Sequence, residues 1–258
     1  MSKLTYALEF LEKNLDLSHL DRVKKKTKDV LSFKSDETVL AVFTPEVVDG
    51  LEGVPVCETH ESMELMLYNE LAPCCIGALI KDDKLFSVMA NYGVGTLASL
   101  FGAKTVFVNQ NSMPWCEHFK DKDEIKRAIG GGVPSLEAGF GKKVIETYEF
   151  YAQQLSKYPA VQEGVRLYHP DLQGPLDVAH LMRGPDIFID MYDDPDFIHD
   201  LLSVITDTYI RLMHKIKPYL NDSEDGFCYH WNTLYPGEIV LRDDTAVNIS
   251  PDMYNEFV

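Results

Sequence analysis

Between Val165 and Tyr219 the chain runs strand, polar loop, turn, short helix and long helix, an order that few architectures accept. Val165-Arg166-Leu167-Tyr168 reads as a buried strand that opens into the polar loop His169-Pro170-Asp171. Gln173-Gly174-Pro175 then makes a tight turn, with Pro175 placed to start a short helix. Asp194 offers an N-cap, and Pro195 a first residue, for a long amphipathic helix reaching Tyr219. Along it Phe197, Leu201, Ile205, Tyr209, Leu212 and Ile216 recur at three- and four-residue steps. A strand that delivers His169, Asp171, Gln173 and Gly174 into a loop matches where α/β enzymes, barrels especially, place their chemistry.

The rest of the chain alternates in the same way. Met1 to about Phe33 reads as one or two surface helices carrying the basic run Lys24-Lys25-Lys26, a solvated face. Thr38 to Phe43, Leu85 to Ala90 and Thr105 to Val108 are apolar runs suited to buried strands. Phe227 to Trp231 and Ile239 to Leu241 complete the strand candidates. Glu61 to Leu71 has helical spacing that Pro73 should end, and Pro134 to Leu155 reads as a further helix. This alternation predicts a parallel sheet or barrel. A chain of 258 residues is long enough for one (β/α)8 TIM barrel. Ser250-Pro251 starts a last helix that has barely two turns before Val258, so the sequence reads as truncated and the barrel as incomplete.

Charge and cysteines narrow the partners. A formal charge of −17 disfavours nucleic acid and anionic membrane. Few cations stand near the polar loops; Arg166, Arg183 and Arg242 are the ones placed to meet an anionic substrate. No apolar run long enough to span a membrane is expected, and Met1 to Leu15 lacks a signal-peptide core. Five cysteines without framework spacing read as reduced thiols in a cytoplasmic protein.

Several residue sets could carry chemistry. His169 and Asp171 follow a strand end, where a rigid scaffold positions polar groups, although Asp171 could simply cap the turn. Asp243-Asp244-Thr245 follows the Ile239 run; paired carboxylates there could raise one pKa for acid–base work or merely cap the loop. Gly93-Val94-Gly95-Thr96-Leu97-Ala98 nominally fits a dinucleotide fingerprint, but the next strand ends in Asn109 where an acidic residue should hold the ribose. Cys116-Glu117-His118 and Cys228-Tyr229-His230 suggest metal ligands, yet two ligands make no zinc site, and core packing is the plainer reading. Core packing also suits Cys74-Cys75, and Met113-Pro114-Trp115 could lid a pocket.

Two blocks resemble the uroporphyrinogen decarboxylase superfamily, which includes zinc-dependent methyltransferases acting on corrinoid proteins. One is Gly174, Pro175, Ala179 and Gly184 followed by Asp194-Pro195; the other is RDDTAVNISPDMYNEFV at Arg242 to Val258. The resemblance spans roughly Glu61 to Val258 and implies a TIM-barrel domain over 61–258 behind an N-terminal helical extension over 1–60. It implies catalytic roles for Asp244 and His169, and substrate contacts at Asn91, Tyr92, Asp171, Gln173, Gly174 and Asp243. Asn91 stands where the decarboxylase keeps an aspartate, Leu181 where it keeps a tyrosine, and the Arg-rich substrate grip is missing before Glu61. These departures favour methyl transfer from a corrinoid or related carrier to a thiol over porphyrinogen decarboxylation. A non-catalytic tetrapyrrole-binding module is the third possibility. For a methyltransferase the family implies zinc, with ligands beyond Val258; for a decarboxylase it implies no cofactor.

Overall fold

The computed structural model describes residues 1–43 and 50–258 and is a mixed α/β protein. By packing, the chain falls into two compact units: residues 1–90, 147–169 and 219–240, and residues 91–146, 170–218 and 241–258. The expected boundary at residue 60 therefore lies inside the first unit.

In the first unit the helix Lys3–Asn14 buries Leu4, Ala7, Leu8 and Leu11 against the helix Met63–Ile80. Cys75 donates its thiol to the Ala7 carbonyl across this interface at 3.6 Å. Ser2 and Ser62 start the two helices by accepting the N–H groups of Thr5 and Leu65. Pro73 does not end its helix as the sequence suggested; it lies inside it, among buried Leu71, Ala72, Cys74 and Cys75. Tertiary burial here outweighs the one backbone bond that proline removes. The resulting 18-residue helix is long and apolar enough to cross a membrane by length and composition, which the sequence reading missed, and half of it is buried within the protein.

Ser87–Val88 and Arg166–Leu167 form a parallel pair, extended by Arg166 N–H to Phe86 O and Tyr168 N–H to Val88 O. Both outer edges are closed by the segment after Tyr219. Asn221 Oδ1 accepts the Leu167 N–H at 2.6 Å, and Asn232 Oδ1 accepts the Ser87 N–H at 3.0 Å. Asn232 sits in the two-residue turn of the antiparallel hairpin Phe227–His230/Thr233–Pro236, with Trp231 and Asn232 both left-handed at φ 48° and 62°. Asn232→Ala should remove the acceptor of a buried N–H and strain the turn, costing about 2 kcal/mol. Urea unfolding checks this; a loss under about 0.5 kcal/mol would remove Asn232 as the edge clamp.

The second unit is built around the helix Pro195–Ile216, close to the expected span. It buries Phe197, Ile198, Leu201, Ile205, Leu212 and Ile216 against the helices Lys122–Ile129, Pro175–Arg183 and Ile187–Asp193. Asp194 precedes it but gives its carboxylate to Lys122 and Lys126 at 3.3 and 3.2 Å instead of capping. The helix expected from Pro134 begins only at Gly141, because Gly139 turns left-handed and Phe140 N–H goes to Ser99 Oγ.

The described residues form no closed barrel. Their seven strands are two to four residues long, and one pair alone is parallel. Thr105–Val106 pairs antiparallel with Trp115–Cys116, leaving Phe107 and Val108 exposed at 40% and 79%. Thr38–Phe43 and Ile239–Leu241 form no strand, and Leu40, Phe43 and Leu241 are exposed. Apolar content alone made these runs look like core, yet most of their large side chains stay exposed.

Candidate functional site

In the second unit the start of the helix Pro175–Arg183 meets the loop at Arg242–Thr245. Gly174 is the N-cap residue and has no side chain to satisfy the first helical N–H groups. Asp243 supplies the cap from a distant part of the sequence: its Oδ1 accepts the Asp177 N–H at 3.0 Å. Asp177 returns the favour to the short 3-10 helix Asp244–Asn248, accepting the Asp244 and Thr245 N–H groups at 2.9 and 2.7 Å. Gly174 N–H donates to Arg242 O at 2.6 Å, completing a reciprocal junction. Burial, then the like charges of Asp177 and Asp244, hold the Asp243 carboxyl above the usual carboxylate range despite its backbone donors. Asp244 itself is exposed, with its backbone N–H in the junction.

Beside this junction Arg242 is ion-paired with Asp171, and Gln173 Nε2 donates to the same Asp171 oxygen at 2.6 Å. Gln173 adopts a left-handed φ of 59°, a cost that non-glycine residues bear where geometry demands it. Thus Asp171, Gln173, Gly174 and Asp243 lie together around this junction. Asp177 was missed. The signal was available, since an acidic residue three positions after Gly174 stands in the first helical turn.

Tyr92 is buried and stacked on Phe140 at 5.2 Å, while Asn91 is half-buried. Gly93, left-handed at φ 81°, lies against Met113 and Pro114, so this loop covers the glycine while Trp115 stays 55% exposed. The dinucleotide reading fails on topology. The helix after Gly95 is five residues long, and the next strand turns back antiparallel where a βαβ unit needs a parallel one.

His169 lies in the first unit. It is 2% exposed and stacks on His230 at 5.1 Å, with Tyr168 edge-on to His230 at 5.4 Å. Asp222 accepts the His169 backbone N–H at 3.2 Å, and the Tyr148 hydroxyl donates to Tyr168 O at 2.5 Å. Cys116, Cys228 and His230 are buried, while His118 stays at the surface. Burial pushes the Cys116 thiol up to about 11 and raises that of Cys228, disfavouring the thiolate a metal needs. Among the described residues, no group of three or more His, Cys, Asp or Glu side chains is arranged to hold a metal.

The three arginines singled out as possible substrate cations are each engaged by a carboxylate. Arg166 meets Glu224 at 3.4 Å, Arg183 meets Asp190 and Asp186 at 2.6 and 2.9 Å, and Arg242 meets Asp171. Compared with protein families, with curated proteins and with solved structures, the chain finds no match.

Proposed function

We propose that this chain is a (β/α)8-barrel member of the uroporphyrinogen decarboxylase superfamily that moves a methyl group from a corrinoid, or a related carrier, to a thiol. The observation that carries the reading is the reciprocal junction. The two stretches that resemble the family, Gly174-Pro175 and Arg242-Asp243-Asp244, lie far apart in sequence yet pack together through Asp243 and Asp177. The parallel pair Ser87–Val88/Arg166–Leu167, with polar loops following each strand, also suits a barrel. Arginines already committed to carboxylates weigh against a polycarboxylate substrate, hence against porphyrinogen decarboxylation.

In the transfer the thiol sulfur attacks the methyl carbon. The carbon–carrier bond breaks with its electron pair left on the carrier, and the thiol gives up its proton. Asp244 is the proposed proton acceptor. Asp171 and Gln173, oriented by Arg242, are the proposed substrate contacts, with Asn91 and Tyr92 just before Gly93. Asp243, Asp177 and Gly174 position them. His169, enclosed against His230, is given no step. Zinc would activate the thiol in such a reaction; among the described residues, no three His, Cys, Asp or Glu side chains come together to hold it. The partners fit a small thiol and a corrinoid protein, and the proposed compartment is the cytoplasm.

Following methylcobalamin loss by absorbance in the presence of a thiol tests the assignment. Asp244→Asn should lower kcat by about a hundredfold while leaving KM near its original value. An unchanged kcat would remove Asp244 from the chemistry.

A further inference from the structure

At the other end of the helix Pro175–Arg183, a second side-chain pair forms within the same unit. His180, in the last helical turn, is half-buried, and His118, two residues after the strand Trp115–Cys116, is at the surface. Their ring centroids are 6.2 Å apart with planes at 64°. The backbone fixes this approach, because Phe119 N–H donates to Met182 O at 2.8 Å. His118 Nδ1 lies 2.8 Å from Leu181 O. A carbonyl only accepts, so Nδ1 carries the proton and Nε2 presents its lone pair. Gly184, left-handed at φ 73°, lies flat against the ring; a Cβ there would stand 3.1 to 3.4 Å from His118 Cδ2, Nε2 and Cγ. The ring is therefore held on two sides by main chain.

An imidazole anchored through one nitrogen to a backbone carbonyl is oriented as metal-binding histidines are. We propose that His118 and His180 together bind a divalent transition-metal ion of the nickel, copper or zinc class, each giving one imidazole nitrogen, with water completing the coordination. At metal–nitrogen bonds of about 2.1 Å, two such rings sit with centroids roughly 5 Å apart. The observed separation of 6.2 Å is about 1 Å wider, so binding would draw the two rings together. With two protein ligands the site is an exchangeable one, separate from the proposed methyl-transfer residues.

Trp115 stands edge-on to His118 at 6.2 Å and reports on the site directly. The chain has two tryptophans, so Trp231→Phe leaves Trp115 as the sole indole. Titrating that variant with Ni²⁺ alone should give saturable quenching at one ion per chain. His118→Gln and His180→Gln should each weaken it about tenfold or more, whereas His199→Gln should leave it unchanged. In the unsubstituted chain, Zn²⁺ should shift the imidazole Cε1–H proton resonances of both histidines together, a readout independent of whether the variants fold. Quenching indifferent to both substitutions, or a shift at only one of the two rings, would overturn the shared site.

Discussion

Gly174→Ala is expected to lower unfolding stability by about 4 kcal/mol, combining overpacking with loss of a helix cap. Gly174 has φ −80°, a conformation any residue can adopt, so backbone freedom is not what requires glycine. The requirement is close approach, since a Cβ would overlap the carboxylate of Asp243. The alanine methyl must expel that carboxylate, and the expelled group takes with it the acceptor for the Asp177 N–H. In an Asp243→Ala background the same substitution meets no carboxylate and should cost under about 1 kcal/mol. The double-mutant cycle by urea denaturation should therefore show coupling of about 3 kcal/mol. Additive costs would mean that the two residues do not share one junction.

Asp243 itself should separate its acceptor role from its charge. Asp243→Ala leaves helical N–H groups in a half-buried place without their acceptor and should cost about 3 kcal/mol. Asp243→Asn keeps an oxygen facing the Asp177 N–H and removes a charge that burial and Asp177 disfavour. The native carboxyl titrates above its unfolded value of about 3.9. The folded state consequently binds the proton more tightly. Stability from protonated Asp243 is full below the unfolded pKa and is lost as pH rises through the folded one. At about pH 7 the Asn variant should then match or exceed the native chain, and the difference should shrink as pH falls toward about 4. Unfolding measured across that range decides it. An Asn variant as unstable as the Ala variant at neutral pH would show that the carboxylate charge, not the acceptor, holds the junction.

What the sequence revealed depended on whether a signal was local. The helix Pro195–Ile216 was legible because its apolar stripe repeats over six turns. The cap at Ser250 was local too, as its side chain reaches the Met253 N–H three residues on. Pro73 misled because intrinsic preference argued for a break, whereas burial of the flanking residues decides the outcome. Thr105 to Val108 and Phe227 to His230 were recognisable as extended runs. Their antiparallel partners follow from the turns at residues 107–114 and at Trp231-Asn232, which an apolar count does not weigh.

The site was legible as residue types and not as geometry. Asp171, Gln173, Gly174 and Asp243 are brought together, but Asp243 spends its carboxylate on helix N–H groups. Asp177 escaped notice because its partners, Asp244 and Thr245, are far along the chain. The meeting of His118 and His180 was equally invisible, being set by the backbone bond between Phe119 and Met182.

The most direct measurement is the fate of a labelled methyl group. The chain is mixed with methyl-labelled methylcobalamin and a small thiol, with Zn²⁺ supplied, and the thiol is analysed by mass spectrometry. Methyl transfer predicts labelled thioether formed in proportion to carrier consumed, at a rate that Asp244→Asn depresses. No thioether in this assay, together with carbon dioxide released when a porphyrinogen is supplied instead, would contradict the account and establish decarboxylation. Corrinoid or tetrapyrrole bound, with neither product formed, would contradict it in favour of a binding module.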